Sequence, residues 1–419
     1  MTTTTNVEAL RSLLPGDRTR NVEDYAIDGV APSIALRPDT RDEAVRIVAA
    51  ANSAGLVLVP LGARTATALG RPLARYDVAL DTTGLARIVE YEPNDLTATI
   101  EAGMTLATFQ QTLATNGQYL PADPPPSDNV TIGGLLATAR PGAWRHHVPG
   151  QRDLVLGITS IQPDGTVTHS GGRVVKNVSG YDLHRMHTGA LGAFGVIVEA
   201  TFKLQPLPVS TRTLAIECES FESAAEVAYH LWDLALPLRA LSILAPGAAE
   251  VAGLPARVQV LLECMGGDAV LARCEDAIHR EGATTRAPHA GEVRPGSFVT
   301  LRALAGTSAL TVLRLGVPSS QVAAATQFAT ERGYVAWGHL AAGSVLVVMP
   351  EANTIAESVR ALRAYARERG GFLEIESAPA TLRAEVDPFD TPERTLVTAL
   401  KHQFDPSGTL NRGRWQEDV

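Results

Sequence analysis

The residues best placed to do chemistry in this sequence are glycines in turns rather than side-chain nucleophiles. The run Val59-Pro60-Leu61-Gly62-Ala63-Arg64-Thr65 directly follows an apolar stretch that reads as a strand. Proline fixes one dihedral and biases its predecessor toward extended backbone, and glycine then permits a turn whose successive N–H groups point inward. Such a nest of amides binds an anion, and each charge-assisted hydrogen bond contributes about 1.5–3 kcal/mol. A second candidate is Asp128-Asn129-Val130-Thr131-Ile132-Gly133-Gly134-Leu135, preceded by the stiff segment Leu120-Pro121-Ala122-Asp123-Pro124-Pro125-Pro126. It reads as an extended arm feeding a helix start, whose amides are donors to an anion. The third is Gly189-Ala190-Leu191-Gly192-Ala193-Phe194-Gly195-Val196-Ile197, which runs into a strand. A dinucleotide fingerprint of the Rossmann type needs its strand before the glycines, so that motif is excluded here.

The elements that must carry these turns follow from periodicity. A helix is expected over Asp42 to Ala54, with strands over Leu56 to Leu61, Leu96 to Glu101 and Val196 to Leu204, and a helix beginning near Thr105. From about residue 210 the texture changes. Strand-like Thr213 to Cys218 and Arg257 to Cys264 alternate with helical Glu222 to Leu236 and Asp268 to Glu281. The order then recurs as strand Leu310 to Val317, helix Gln321 to Arg332, strands Tyr334 to His339 and Ser344 to Met349, helix Thr354 to Arg369, and strand Phe372 to Ile375. Thr354 and Glu357 have capping-box spacing, and Gly370 marks the stop. Two facing β-α-β runs predict an antiparallel sheet with helices on one face, a ferredoxin-like cap.

Composition narrows the function classes. The chain has 419 residues, 45% hydrophobic and 19% charged, with a formal net charge of -9 and no Lys/Arg run, which speaks against a nucleic-acid partner. Cys218, Cys264 and Cys274 are odd in number and widely spaced, which argues against a disulfide framework, a zinc site or an iron–sulfur cluster. No apolar run approaches the ~20 residues of a membrane span, and Met1 to Asn6 lacks the order of a signal peptide. A cytoplasmic location is expected. His184 and His187 share a helical spacing without an acidic partner and read as surface residues, while His146-His147 beside Arg145 is a candidate for facing an anion.

Taken together, Pro60 to Thr65, Thr131 to Gly134, Arg152 to Gly157, Lys176 to Leu183 and Gly189 to Ile197 resemble the FAD-binding domain of the vanillyl-alcohol oxidase/PCMH superfamily. The tail Phe404-Asp405-Pro406 to Asn411-Arg412-Gly413-Arg414, with Asp24-Tyr25 and Asp28-Gly29 near the start, resembles its 2-hydroxy-acid branch, above all the E-type FAD-binding subunits of glycolate oxidases. The resemblance implies an α+β fold, with a two-subdomain FAD-binding domain over 21–208 after a flexible 1–20, an antiparallel-sheet cap over 209–385, and a C-terminal segment, 386–419, returning to the FAD domain. It also implies an FAD-dependent oxidoreductase acting on CH–OH donors. By the same token Leu61, Gly62, Ala63, Arg64 and Thr65 would bind the pyrophosphate, and Pro121, Asp123, Thr131, Gly133 and Gly134 the pyrophosphate and ribityl side. Gly189, Gly192, Gly195, Val196 and Ile197 would contact adenine, ribose or the flavin edge, with Tyr181 and Asn411 toward the isoalloxazine.

Departures from the family pattern refine this expectation. No histidine stands in the first loop for covalent attachment, so the FAD is expected to be non-covalent. Gly338-His339 keeps a pair found in the branch's metal motif, but Leu340-Ala341-Ala342-Gly343-Ser344 lacks its acid and second histidine, and Glu376-Ser377-Ala378 stands where a Glu-His-Gly element is usual. No metal is therefore expected, and His339 reads as a cap-strand residue. No catalytic base is identified. That profile fits a flavin-bearing subunit that works with a catalytic flavoprotein subunit and an iron–sulfur subunit on a small 2-hydroxy acid. A stand-alone FAD-dependent oxidoreductase and an assembly scaffold without flavin turnover remain the alternatives.

Overall fold

A computed structural model describes residues 3–124, 129–148, 150–173, 181–307, 309–350, 355–390 and 394–415. The expected Lys176 to Gly180 portion of the fourth motif, Asp128 and the Thr354 cap lie outside the described residues. The first part of the chain builds two sheets. One has four strands in the order Thr19–Arg20, Ile34–Leu36, Val78–Asp81, Leu58–Leu61, with its last three parallel. The other has five antiparallel strands in the order Ile88–Glu92, Thr97–Glu101, Val196–Lys203, Val155–Ile161, Val167–Gly171.

Local sequence explains the first sheet's main helix. Thr40 caps Arg41–Ser53 by accepting the Glu43 N–H, and the Glu43 carboxylate accepts the Thr40 N–H in return. Ala44, Ile47, Val48 and Ala51 fall on one face at helical spacing and are buried against Ile34, Leu58 and Leu80. Their apolar cluster also takes in Ile161, Val196 and Val198, so it joins the two sheets.

The end of the chain closes the first sheet's free edge. Leu58 donates its N–H to the Thr409 carbonyl at 2.7 Å, and Asn411 donates its own to the Leu58 carbonyl at 3.0 Å. What holds that tail is a buried ammonium. Lys401, at the end of helix Arg394–Phe404, donates to the Ala193 carbonyl at 2.9 Å, the Leu410 carbonyl at 2.5 Å and the Asp405 carboxylate at 2.7 Å. Asp405 in turn accepts the N–H groups of Thr409 and Leu410.

The second part is one eight-stranded antiparallel sheet. Its order is Ala290–Glu292, Ser210–Cys218, Val258–Gly266, Leu238–Leu244, Val335–His339, Ser344–Met349, Thr311–Gly316, Phe372–Ser377. Numbered within each half, this is 4-1-3-2 followed by 2-3-1-4. Two ferredoxin-like units are thus fused through their second strands, with Ser242 opposite His339 at the seam. Helices Phe221–Asp233, Asp268–Thr285, Val322–Thr330 and Ile355–Glu368 bury their apolar stripes on one face, as the sequence periodicity predicts. The other face is not bare: Pro246–Val251 and Ser297–Ala305 lie on it, packed with Leu244, Leu261, Trp337 and Leu346. Sheet strands buried on both faces need cover on both.

Removing the Lys401 charge tests the tail. Lys401→Met leaves the Asp405 carboxylate buried without its cation, which typically costs about 3–5 kcal/mol. Urea unfolding should therefore show a large loss of stability, and a loss below about 1 kcal/mol would contradict the anchoring role.

Candidate functional site

A cleft of about 800 Å³ opens at the carboxyl end of the Leu58–Leu61 strand. Its lining includes Leu61, Gly62, Ala63, Arg64, Thr65, Thr131, Gly134, Leu191 and Asn411. A continuation shares Leu61, Gly62 and Gly134 and adds Gly133, Gly192 and Ile197. Residues from three separate turns and the chain's tail therefore meet around one space.

The first turn supplies donors. The N–H groups of Gly62, Ala63, Arg64 and Thr65 meet no acceptor among the described residues. Gly62 and Ala63 are half-buried and Arg64 and Thr65 exposed, so these four consecutive unpaired amides are open to water or to a ligand in the cleft, the arrangement of an anion nest. Arg64 holds a left-handed backbone, φ +60°, with its guanidinium 4.5 Å from the Tyr25 ring centroid. Tyr25 donates to Asp81 at 2.5 Å, and burial together with that carboxylate pushes its hydroxyl up to about 12, so the ring under Arg64 is a neutral phenol. Leu191 and Asn411, at φ +50° and +46°, add two more left-handed non-glycine residues at the rim. Each costs roughly 1–2 kcal/mol, strain that the surrounding packing must offset.

The second turn supplies shape. A Cβ on Gly62 would overlap the Thr131 hydroxyl and lie 3.0 Å from the Thr131 Cβ, so only glycine lets the two turns touch. Thr131 caps helix Ile132–Thr138 through the Gly134 N–H. The expected donors at this helix start are spent inside the protein: Ile132 donates to Met104 at 2.9 Å and Gly133 to Ala102 at 2.7 Å. Thr131, Gly133 and Gly134 thus border the cleft as the sequence suggests, while the helix-start amides of Ile132 and Gly133 are engaged within the protein.

The third turn docks on that helix, with Gly189 donating to Leu136 at 2.8 Å and Leu191 to Ala137 at 2.9 Å. The Asn411 side-chain amide donates to the Leu191 carbonyl, and a Cβ on Gly192 would sit 3.1 Å from that amide and 3.2 Å from Pro60. Gly192 and Ile197 reach the cleft, whereas Gly189, Gly195 and Val196 do not line it; Val196 is in the core, and Gly195 faces Gln162 and His187. Pro121 and Tyr181 are also off the lining, and Tyr181 is 90% exposed.

Two arginines complete the cleft: Arg414, from the tail motif, and Arg140, which sequence reasoning does not single out. Arg414 donates to the carbonyls of Thr67, Leu69 and Arg71, fixing the loop after the nest. Burial lowers it only to about 10, so it stays charged at neutral pH. Arg140 forms a buried ion pair with Glu376 of the cap, 2.7 Å from Nε to Oε2, and Glu376 also takes Arg314 at 2.9 Å. Between them the two guanidiniums overcome burial and hold the Glu376 carboxyl below its usual range. With Arg64, Arg140 and Arg414 and no carboxylate among the described lining residues, the cleft is electropositive.

Other sequence candidates fall elsewhere. His184 and His187 are buried rather than on the surface, 5% exposed each, against Ser170 and Ser160. His146 packs edge-on to Trp232 at 5.1 Å, and burial lowers its pKa to about 4, so it carries no charge toward an anion at neutral pH. His339 is a cap-strand residue whose Nδ1 lies 2.7 Å from Ser242 Oγ. Among the described residues no three His, Cys, Asp or Glu side chains converge as a metal set, and no helix is long and apolar enough to cross a membrane. The three cysteines are buried and free.

Asp123 leaves the cleft for a second cavity under the cap. It accepts the Trp144 N–H at 3.0 Å, yet burial drives its pKa up to about 7. An acid whose folded pKa is raised binds more protons folded than unfolded, so stability declines as pH rises from about 4 to 7. Asp123→Asn should abolish that decline, on the order of a few kcal/mol, in urea melts at pH 5 and pH 8; an unchanged pH dependence would refute the assignment.

Comparison with known proteins agrees with this geometry. Residues 32–171 match the family of FAD binding domains. The glycolate oxidase subunit GlcE of Escherichia coli (strain K12) is 36% identical over 186 residues, 44% of this chain and 52% of the relative. The D-lactate dehydrogenase of Archaeoglobus fulgidus is 24% identical over 408 residues, covering 91% of this chain and 90% of the other. In the first-ranked curated relatives the matched region spans about half of their length or less. A solved structure of p-cresol methylhydroxylase with substrate bound superposes with a TM-score of 0.77 at 17% identity, over 99% of this chain and 97% of that one. The chain therefore has the α+β fold of p-cresol methylhydroxylase, with the stretch that matches FAD binding domains in its first part and a large antiparallel sheet in its second.

Proposed function

We propose that the chain is an FAD-dependent 2-hydroxy-acid oxidoreductase, working as the FAD-binding subunit of a glycolate-oxidase-like complex. The observation that carries the reading is the row of four unpaired amides, Gly62 to Thr65, at an electropositive cleft within the stretch that matches FAD binding domains. These amides hold the diphosphate, and Arg64 and Arg414 set a positive field around it. Gly62, Gly134 and Gly192 let a ligand lie against bare backbone, beside Thr131. Asn411 acts by fixing the Leu191–Gly192 turn, and the Arg140–Glu376 pair seats the cap over the cleft. When bound, FAD supplies hydride acceptance from a carbon bearing a hydroxyl.

Attachment is non-covalent in this reading, since no His, Cys or Tyr lies among the described residues of the cleft. Subunit status is supported by the similarity to the glycolate oxidase subunit GlcE, and Glu376, paired with both Arg140 and Arg314, is not free to act as a ligand. A catalytic flavoprotein subunit and an iron–sulfur subunit are the partners this implies. The stand-alone reading is favoured by one observation, the match to a D-lactate dehydrogenase over nine-tenths of both chains.

Acid precipitation of the purified protein should release one yellow FAD per chain into the supernatant. Gly62→Ala should weaken FAD binding by at least about tenfold, because the new Cβ separates the nest from Thr131; Thr131→Gly in the same chain should restore part of the loss. Retained wild-type affinity in Gly62→Ala would remove the nest from the site. Glycolate-dependent dye reduction by the isolated, FAD-loaded chain would favour the stand-alone enzyme, and its absence together with copurification of a second flavoprotein would favour the subunit.

A further inference from the structure

The second cavity lies where the first part of the chain meets the cap. It adjoins the flavin cleft through two chain neighbours: Asp123 lines the cavity and Pro124 the cleft, as do Pro141 and Arg140 respectively. Three features give it chemistry.

First, its cations are unequal. Arg239 is committed, donating to Glu263 at 2.7 Å and lying 4.1 Å from the Trp144 ring centroid. The guanidinium of Arg302, on helix Ser297–Ala305, makes no ion pair or hydrogen bond among the described residues. Its charge is felt by Asp123, but that carboxyl, with its raised pKa, is only partly ionised at neutral pH and offsets the guanidinium incompletely.

Second, His339 is 7% exposed and lines the cavity, with Nδ1 engaged by Ser242, which leaves Nε2 at the far end of the ring without a protein partner. Burial keeps the imidazole neutral, with a pKa of about 4. When Nδ1–H is donated to Ser242 Oγ, Nε2 is a free acceptor. Third, the remaining wall is apolar and aromatic, with Phe298, Leu301, Trp337 and Leu346.

We propose that this cavity binds a small monocarboxylic 2-hydroxy acid bearing an apolar side chain, with its carboxylate on Arg302, its hydroxyl donating to His339 Nε2, and its tail against Trp337, Phe298 and Leu346. The choice of a hydroxy acid rests on the proposed oxidoreductase function; the preference for an apolar tail departs from glycolate, which has none to place on that wall. A charge-assisted hydrogen bond to the carboxylate and about fourfold in affinity for each buried methylene set the scale.

Anaerobic isothermal titration calorimetry of the purified, flavin-containing protein tests this with two probes, 2-hydroxy-4-methylpentanoate and glycolate. The branched acid should bind at least about tenfold tighter than glycolate. Arg302→Gln should weaken it at least about tenfold and Arg302→Lys less, with the flavin content of both variants at the wild-type level to show that the fold persists. Glycolate binding as tightly as the branched acid, or wild-type affinity in Arg302→Gln, would overturn the proposal. Flavin content measured on the same samples separates the two readings: flavin-loaded protein that binds neither acid sinks this inference alone, whereas flavin-free protein that binds the branched acid upholds the cavity and sinks the flavin reading.

Discussion

The contact between Gly62 and Thr131 is the constraint from which the rest of the site follows. Two chain segments nearly seventy residues apart approach so closely that no Cβ fits between them. That approach brings the unpaired amides after the Leu58–Leu61 strand to the flank of helix Ile132–Thr138. These four adjacent N–H groups, on half-buried and exposed residues, find no carbonyl of the chain and are left to water or to an anion in the cleft. Their pairing is prevented because the neighbouring donors and acceptors are already committed: Gly133 to Ala102, Gly134 to Thr131, and the carbonyls of Thr67, Leu69 and Arg71 to Arg414.

Buried charges then fix the large pieces around this contact. Arg140 reaches Glu376 across 236 residues, Arg383 reaches Asp28 across 355, and Lys401 ties the tail to Ala193. A buried ion pair adds little net stability compared with a well-packed apolar pair. What it provides is register, because a misplaced guanidinium in a dry site is far costlier than a misplaced leucine. Arg383 and Arg414 share Asp28, so the start of the chain, the cap and the tail close on one carboxylate. All three of these segments border the loop that carries the nest.

Much of this was legible in the sequence, and the failures have physical causes. Helices with one apolar stripe, such as Arg41–Ser53 and Phe221–Asp233, announce themselves by period. Strand Leu238–Leu244 is passed over because nearly all of its residues are buried on both faces, which erases the period-two signal. Ala290–Glu292 is too short to show one. At the site, backbone turns were readable because glycine, proline and threonine constrain local geometry. Arg140 and Arg302 were not, since a lone arginine gains its meaning from a partner or cavity supplied by distant segments. The surface reading of His184 and His187 failed for a related reason: Ser170 and Ser160, which let those rings go under, are elsewhere in the chain.

The duplicated cap explains why a second cavity exists where it does. Each ferredoxin-like half presents its second strand as an edge, and an unpaired edge is open to pairing with another chain. Joining the two edges removes the hazard and creates a seam in which Ser242 and His339 face each other in register. Away from the seam each half fills its own surface with aliphatic side chains. At the seam, Arg239 and Glu263 come from one half and Trp337, His339 and Leu346 from the other, so neither half alone forms the wall. The connection between the halves, helix Ser297–Ala305, must cross this face, and it carries Arg302 with it. Polar groups can remain there because the first part of the chain, through Asp123 and Trp144, covers the seam without filling it. A fusion that solves an edge problem has thereby produced a lined space beside the flavin cleft.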